Sequence, residues 1–172
     1  MIRIILHCDE EWGIGKKGTL MFHLPKDMAY FRETTKGHVV VMGEVTFLSF
    51  PNQKPLKNRT NIVLSADSTH NYEGCVNVHS MSELHAKLKE IEANEDIYII
   101  GGASIYKAFL PYCDEALITK VEAIGGADTF FVNLDENPDY ELATESEPIQ
   151  DEDAVIRFTR YINKNKKALG SF

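Results

Sequence analysis

Apolar runs rich in β-branched residues recur along the chain at intervals, and stretches with helical spacing lie between several of them. The runs are IRIILHC (2–8), HVVVMG (38–43), TNIVLS (60–65), CVNVHS (75–80), DIYIIGG (96–102) and EALITKVEA (115–123). Runs that are apolar on both faces and separated by helical segments belong to a mainly parallel sheet with helices packed on it. The predicted architecture is therefore α/β: a three-layer αβα arrangement with a mostly parallel central sheet. Proline at the first-turn position predicts a helix from Pro25 to about Thr35, and Leu84, Leu88 and Ile91 recur at helical spacing in a second, from Ser82 to about Ala93. A third should follow IIGGAS, with Ile105, Ala108 and Phe109 facing inward, and a short one should follow Gly43. AVIRFTRYI (154–162) alternates apolar and polar residues, so it is expected as an antiparallel strand at the sheet edge, paired with YELATESE (140–147).

With 172 residues and no internal repeat or low-complexity linker, one domain is expected over 1–163. The polar tail 164–172 is short of core residues and is expected to be either frayed or foreign to the fold. A net charge of −8 argues against a nucleic-acid partner. No apolar run reaches the roughly 18 residues of a membrane span, and the opening MIRIIL is too short for a signal sequence. A cytoplasmic, monomeric protein is the expectation. Cys8, Cys75 and Cys113 lack paired spacing, and the histidines lack ligand spacing, so neither disulfides nor a metal site are predicted.

In open α/β sheets ligands bind beyond the carboxyl ends of the strands. The long exit segment HCDEEWGIGKKGTLMFHLPKD carries Gly13, Gly15 and Gly18, and it suits either a mobile active-site loop or a plain surface loop. Asp27 falls in the first turn of the helix begun by Pro25, one turn before Phe31. It is either an ordinary helix-start acid or a carboxylate in an apolar pocket formed with inward-facing Met28 and Phe31, offering two acceptor oxygens to adjacent N–H donors of a ligand. YIIGGASIY joins a buried strand to a helix through two glycines, which lets backbone N–H groups approach a phosphate. Glu44, by contrast, puts a carboxylate at the other helix start that could receive one.

Taken together, GIGKKGTLMFHLPKDMAYFR, VVVMGEVTF, LKNRTNIVLS, IYIIGGASIY, LITKVEA and GADTFF resemble the dihydrofolate reductase family in order and spacing, over roughly residues 1 to 131. The resemblance implies reduction of 7,8-dihydrofolate to tetrahydrofolate by hydride transfer from NADPH. It implies that Asp27 binds the pterin and helps protonate it, that Thr119 hydrogen-bonds that acid, and that Phe31 packs on the substrate. By the same resemblance Ile5, Leu20 and Ile100 line the pocket, Leu20 beside the reacting centre, and Arg59 grips the α-carboxylate of the substrate's glutamate. The cofactor is expected across Gly15, Gly43, Glu44, Val45, Thr46, Ser65, Gly101, Gly102, Ser104, Ile105 and Tyr106, with a cis peptide between the paired glycines.

The chain departs from the family pattern in two places. Glu44 and Val45 stand where cations usually meet the adenosine 2′-phosphate, and neither Ser65-Ala66-Asp67 nor Ser104 restores one. An acid there can accept from a ribose 2′-hydroxyl, so NADH is a possible alternative donor. At the pterin end, Phe22 takes a usual tryptophan position and His7 that of a small residue. His7 is either a satisfied core histidine or a neighbour that crowds or hydrogen-bonds Asp27. Two other readings remain open. A riboflavin-pathway reductase of the same fold would lack the acid and the arginine matched by Asp27 and Arg59. A catalytically weak folate-binding protein would keep the pocket without the cofactor affinity.

Overall fold

The computed structural model describes residues 1–172. In chain order the elements are β1 (Ile2–Cys8), β2 (Gly13–Gly15), α1 (Pro25–Thr35), β3 (Val39–Gly43), α2 (Glu44–Leu48), β4 (Thr60–Leu64) and β5 (Val76–Val78). There follow α3 (Met81–Ile91), β6 (Ile97–Gly101), α4 (Ala103–Phe109), β7 (Glu115–Val121), β8 (Thr129–Phe130), β9 (Tyr140–Glu145), β10 (Ile149–Asp151) and β11 (Ala154–Asn163). The main sheet runs β10-β11-β7-β1-β6-β3-β4-β5, and β9 also pairs with β11. Strands β1, β3, β4, β5, β6 and β7 are mutually parallel, and β9, β10 and β11 are antiparallel to their neighbours. A parallel majority with helices on both faces is the architecture that the apolar runs predict.

Alternate residues of each strand feed opposite layers. Ile2, Ile4, Val39, Val41, Ile97 and Ile99 join Leu84, Leu88 and Phe109 beneath α3 and α4. Ile5, Val40, Met42, Tyr98 and Leu117 meet Phe31 of α1 and Phe47 of α2 on the other face. Leu84 and Leu88 are fully buried, which stabilises the docking of α3 by roughly 1.5–3 kcal/mol for each side chain. That helix begins at Met81 because Ser80 caps it, its hydroxyl accepting from Glu83 N at 3.0 Å, while Glu83 accepts from His79 N.

Two expectations are corrected. Strand β11 is antiparallel and pairs with β9 as predicted, but it lies one place in from the edge. Residues 149–151 double back as β10, and β9 and β10 share its outer side. The turn between β10 and β11 contains Glu152 at φ 27° and closes too tightly to show as a separate alternating run. The tail is not frayed either. Leu169 is buried in the α3/α4 layer, Gly170 N donates to His85 Nδ1 at 2.8 Å, and the Phe172 ring meets His85 edge-on at 4.6 Å. A polar stretch of nine residues conceals one good anchor, and a single leucine leaves no periodic signal. No helix is long and apolar enough to cross a membrane.

Candidate active site

The carboxyl ends of the parallel strands open on one side of the sheet, and Asp27 reaches them from the first turn of α1. Its two oxygens are held by neighbouring strands. Thr119 Oγ1 of β7 donates to Oδ1 at 2.7 Å, and His7 Nδ1 of β1 lies 3.0 Å from Oδ2. His7 and Thr119 are register partners, so the sheet itself sets the spacing of these two contacts. The Asp27 side chain keeps only 13% of its surface exposed. Ile5, Phe31 and Ile100 pack together in the layer below α1 and supply the apolar wall. Of the pocket residues expected from the sequence, Met28 and Leu20 are not brought in. Met28 is half exposed, and Leu20, on the β1–α1 segment, is 65% exposed.

The start of α1 is fixed from far along the chain. Its N-cap residue, Leu24, has no capping side chain, and the exposed N–H groups are met instead by Asp151 of β10. Lys26 N donates to Asp151 Oδ1 and Asp27 N to Asp151 Oδ2, both at 3.0 Å, and His23 N donates to Asp153 Oδ2 at 2.7 Å. A buried carboxylate on helix-start N–H groups satisfies donors that α1 cannot satisfy itself and complements its dipole. Nothing in the local pattern around Asp151 signals this partner.

The exit segment is neither a free loop nor a plain one. Strand β2 pairs with β8, and buried Asp9 gathers N–H groups from Glu11, Gly13 and Gly125 at 2.7–2.9 Å. Gly13 has to be glycine, since a Cβ there would fall 2.4 Å from that of Ala127. Gly15 stands on β2, its carbonyl accepting from Asp128 N at 3.0 Å.

The glycine turns lie across the sheet from Asp27. The Gly101–Gly102 peptide is cis, with Gly101 at φ 130°. A Cβ on Gly101 would stand 3.4 Å from both Thr46 Oγ1 and the Tyr106 hydroxyl, and one on Gly43 would stand 3.2 Å from Ile105. Gly43, Thr46, Gly101, Gly102, Ile105 and Tyr106 therefore form one side-chain-poor cradle that suits close backbone approach to a nucleotide. Tyr106 and Ile105 are buried beneath it, the Tyr106 hydroxyl donating to Ile5 O at 3.1 Å. Val45 and Ser104 are exposed, and Ser65 is buried.

Glu44, beside this cradle, is not a solvated cap. Its Oε2 accepts from the Tyr72 hydroxyl at 2.6 Å and lies 2.7 Å from His70 Nδ1. The Tyr72 hydrogen bond is the main cause that holds the Glu44 carboxyl below its ordinary range, and it pushes the Tyr72 phenol up to about 12. Neither Tyr72 nor His70 stands out in the sequence, because only the return of β5 beside β4 brings them to Glu44.

Arg59 lies on the other flank, in a groove of about 640 Å³ lined also by Arg32, Lys36, Lys54, Leu56 and Lys57. Its Nη1 donates to Thr35 Oγ1 at 3.1 Å and its Nε to Lys57 O at 2.9 Å, with no carboxylate partner. Glu33 is the one carboxylate in the lining, against five cationic side chains including Arg59.

The dihydrofolate reductase family model matches residues 1–165. Dihydrofolate reductase of Bacillus subtilis (strain 168) is 34% identical over 174 residues, 100% of each chain, and that of Neisseria gonorrhoeae is 32% identical, covering 95% of this chain and 98% of its own. The solved Enterococcus faecalis dihydrofolate reductase complexed with NADP(H) and RAB-propyl superposes with a TM-score of 0.82 at 31% identity, over 95% of this chain and 96% of that one. Fold and cleft define an α/β oxidoreductase. More closely, the chain belongs to the dihydrofolate reductase family.

Proposed function

We propose that this protein reduces 7,8-dihydrofolate to tetrahydrofolate, with NADPH as hydride donor. The observation that carries this reading is Asp27, a carboxylate held at the strand ends by Thr119 and walled by Ile5, Phe31 and Ile100. Such a carboxylate offers paired acceptors to the amino and ring N–H donors of a pterin, and the apolar wall keeps water from the reacting face. Arg59 and its cationic groove receive the glutamate carboxylate, where a planar two-donor fork fits. When bound, the cofactor supplies the hydride. The cradle of Gly43, Thr46, Gly101 and Gly102 suits its pyrophosphate, because three of the four residues are glycines whose backbone a phosphate can approach closely.

Glu44 bears on which nicotinamide cofactor is preferred. A fixed carboxylate accepts from a ribose 2′-hydroxyl and repels a 2′-phosphate, so NADPH preference is weakened and NADH is used as well. Following cofactor oxidation with dihydrofolate, using both cofactors, on the wild type and on Asp27→Asn tests the whole reading. Turnover in the wild type and its collapse in Asp27→Asn are expected; full activity in the variant would exclude Asp27 from pterin binding and proton delivery. A hundredfold advantage for NADPH in kcat/KM would refute the part assigned to Glu44.

A further inference from the structure

The function proposed above uses Asp27 and Thr119 and leaves His7 without a part. Yet His7 sits in the same cluster, with 7% of its side-chain surface exposed and Nδ1 3.0 Å from Asp27 Oδ2. A carboxylate only accepts, so Nδ1 carries the shared hydrogen and Nε2 is left as the ring's second proton site. Nε2 is buried and has no hydrogen-bond partner in the protein. A buried ring nitrogen left unpaired beside a catalytic carboxylate calls for a reason, since such groups are otherwise satisfied.

The surroundings leave His7 as the basic partner of the acid. From α1 the facing titratable groups are Asp27 itself and Tyr30, whose phenol is pushed up mainly by burial and further by the Asp27 charge. From β10 comes Asp151, whose carboxylate is taken up by the N–H groups of Lys26 and Asp27. Strand β7 contributes the uncharged Thr119 hydroxyl, β11 contributes Phe158 stacked on Tyr30, and Phe22 meets the His7 ring edge-on at 6.3 Å. Asp27 lies against the His7 ring and makes no ion pair with a lysine or arginine.

We propose that His7 and Asp27 act as one proton-holding pair, in which His7 positions the carboxylate and shares the proton that reduction consumes. This rests on the dihydrofolate reading. Reduction of the substrate C=N bond takes a hydride at carbon and a proton at nitrogen. The electron pair comes with the hydride from the nicotinamide, which is left oxidised, and the proton comes from the pair, which refills from water. With one hydrogen bond joining ring and carboxylate, the pH dependence of hydride transfer is assigned to both residues and not to Asp27 alone.

The test is the pH profile of the hydride-transfer rate for the wild type, His7→Gln and His7→Ala. Glutamine keeps an N–H donor but takes up no proton, so His7→Gln should bind folate within a few-fold of the wild type while its profile inflection moves by about one pH unit. His7→Ala should show the same displacement together with weaker binding. Wild-type inflections in both variants overturn the proposal, because a merely structural histidine would alter stability and leave the profile alone. Should His7→Ala fail to fold, NMR titration of the His7 ring in the wild type and in Asp27→Asn decides independently. A His7 titration midpoint displaced by Asp27→Asn supports the pair, and an unmoved one overturns it. The activity of Asp27→Asn is read separately and bears on the substrate assignment.

Discussion

Tyr72 donates its phenolic hydrogen to Glu44 Oε2 at 2.6 Å, and this bond holds the first residue of α2 as a fixed acceptor beside the glycine cradle. His70 converges on the same oxygen at 2.7 Å. Glu44→Arg should therefore raise the NADPH-to-NADH ratio of kcat/KM by about tenfold or more, by exchanging repulsion of a phosphate for attraction. Steady-state kinetics with both cofactors measure it. An unchanged ratio would mean that the adenosine edge of the cofactor lies elsewhere.

Asp151 should matter to Asp27 across a separation of 124 residues. Asp151→Ala leaves the N–H groups of Lys26 and Asp27 without acceptors in a partly buried place, at a cost of roughly 1–3 kcal/mol. The expected result is a lower urea midpoint with an unchanged slope, together with reduced kcat, because α1 no longer holds its first turn rigidly. Asp151→Asn keeps an acceptor and should lose less.

Arg59→Ala should raise KM for dihydrofolate by about ten- to a hundredfold, the scale of a lost charge-assisted contact of roughly 1.5–3 kcal/mol. The surrounding Arg32, Lys36, Lys54 and Lys57 add a field that salt screens. In the wild type KM should rise with ionic strength, and in Arg59→Ala that rise should be shallower.

The tail gives a stability prediction that depends on pH. Burial lowers the pKa of His85 from its ordinary value of 6.5, and the tail that covers it includes Leu169 and Phe172. The unfolded chain then takes up a proton before the folded one does. Stability contributed by the neutral ring is present above the unfolded value and falls as pH drops through it toward the folded value. Removing residues 168–172 should destabilise the protein by roughly 2–5 kcal/mol at neutral pH, as for a buried leucine lost from a core, and flatten the acid dependence. Melting temperatures of both forms across that pH range check it.

Periodicity located the six apolar runs, because a buried parallel strand must be apolar on both faces and a glycine must follow where the backbone turns sharply. Helix α1 was legible for a comparable reason: Pro25 sets φ and lacks the N–H that would go unpaired there. Asp27, Thr119, Arg59 and the paired glycines could be named from the order and spacing of motifs. Leu20, named from the family resemblance, and Met28, read as inward-facing from the start of α1, both stand exposed, since neither reading says which way a residue on a loop or at a helix start points.

Other partnerships were beyond such reading. Asp9 reaches Gly125, Asp151 caps α1 and Tyr72 binds Glu44, each joining segments that share no local pattern. The same holds for His85 and the tail. Short-range sterics and hydrophobic spacing act within a few residues, so the strands, the helices and the kinds of chemical group available are legible along the chain. Hydrogen bonds between distant segments exist only once the sheet has set its register, so tertiary structure alone decided which carboxylate caps which helix, that His7 lies against Asp27, and that Glu44 is held rather than free.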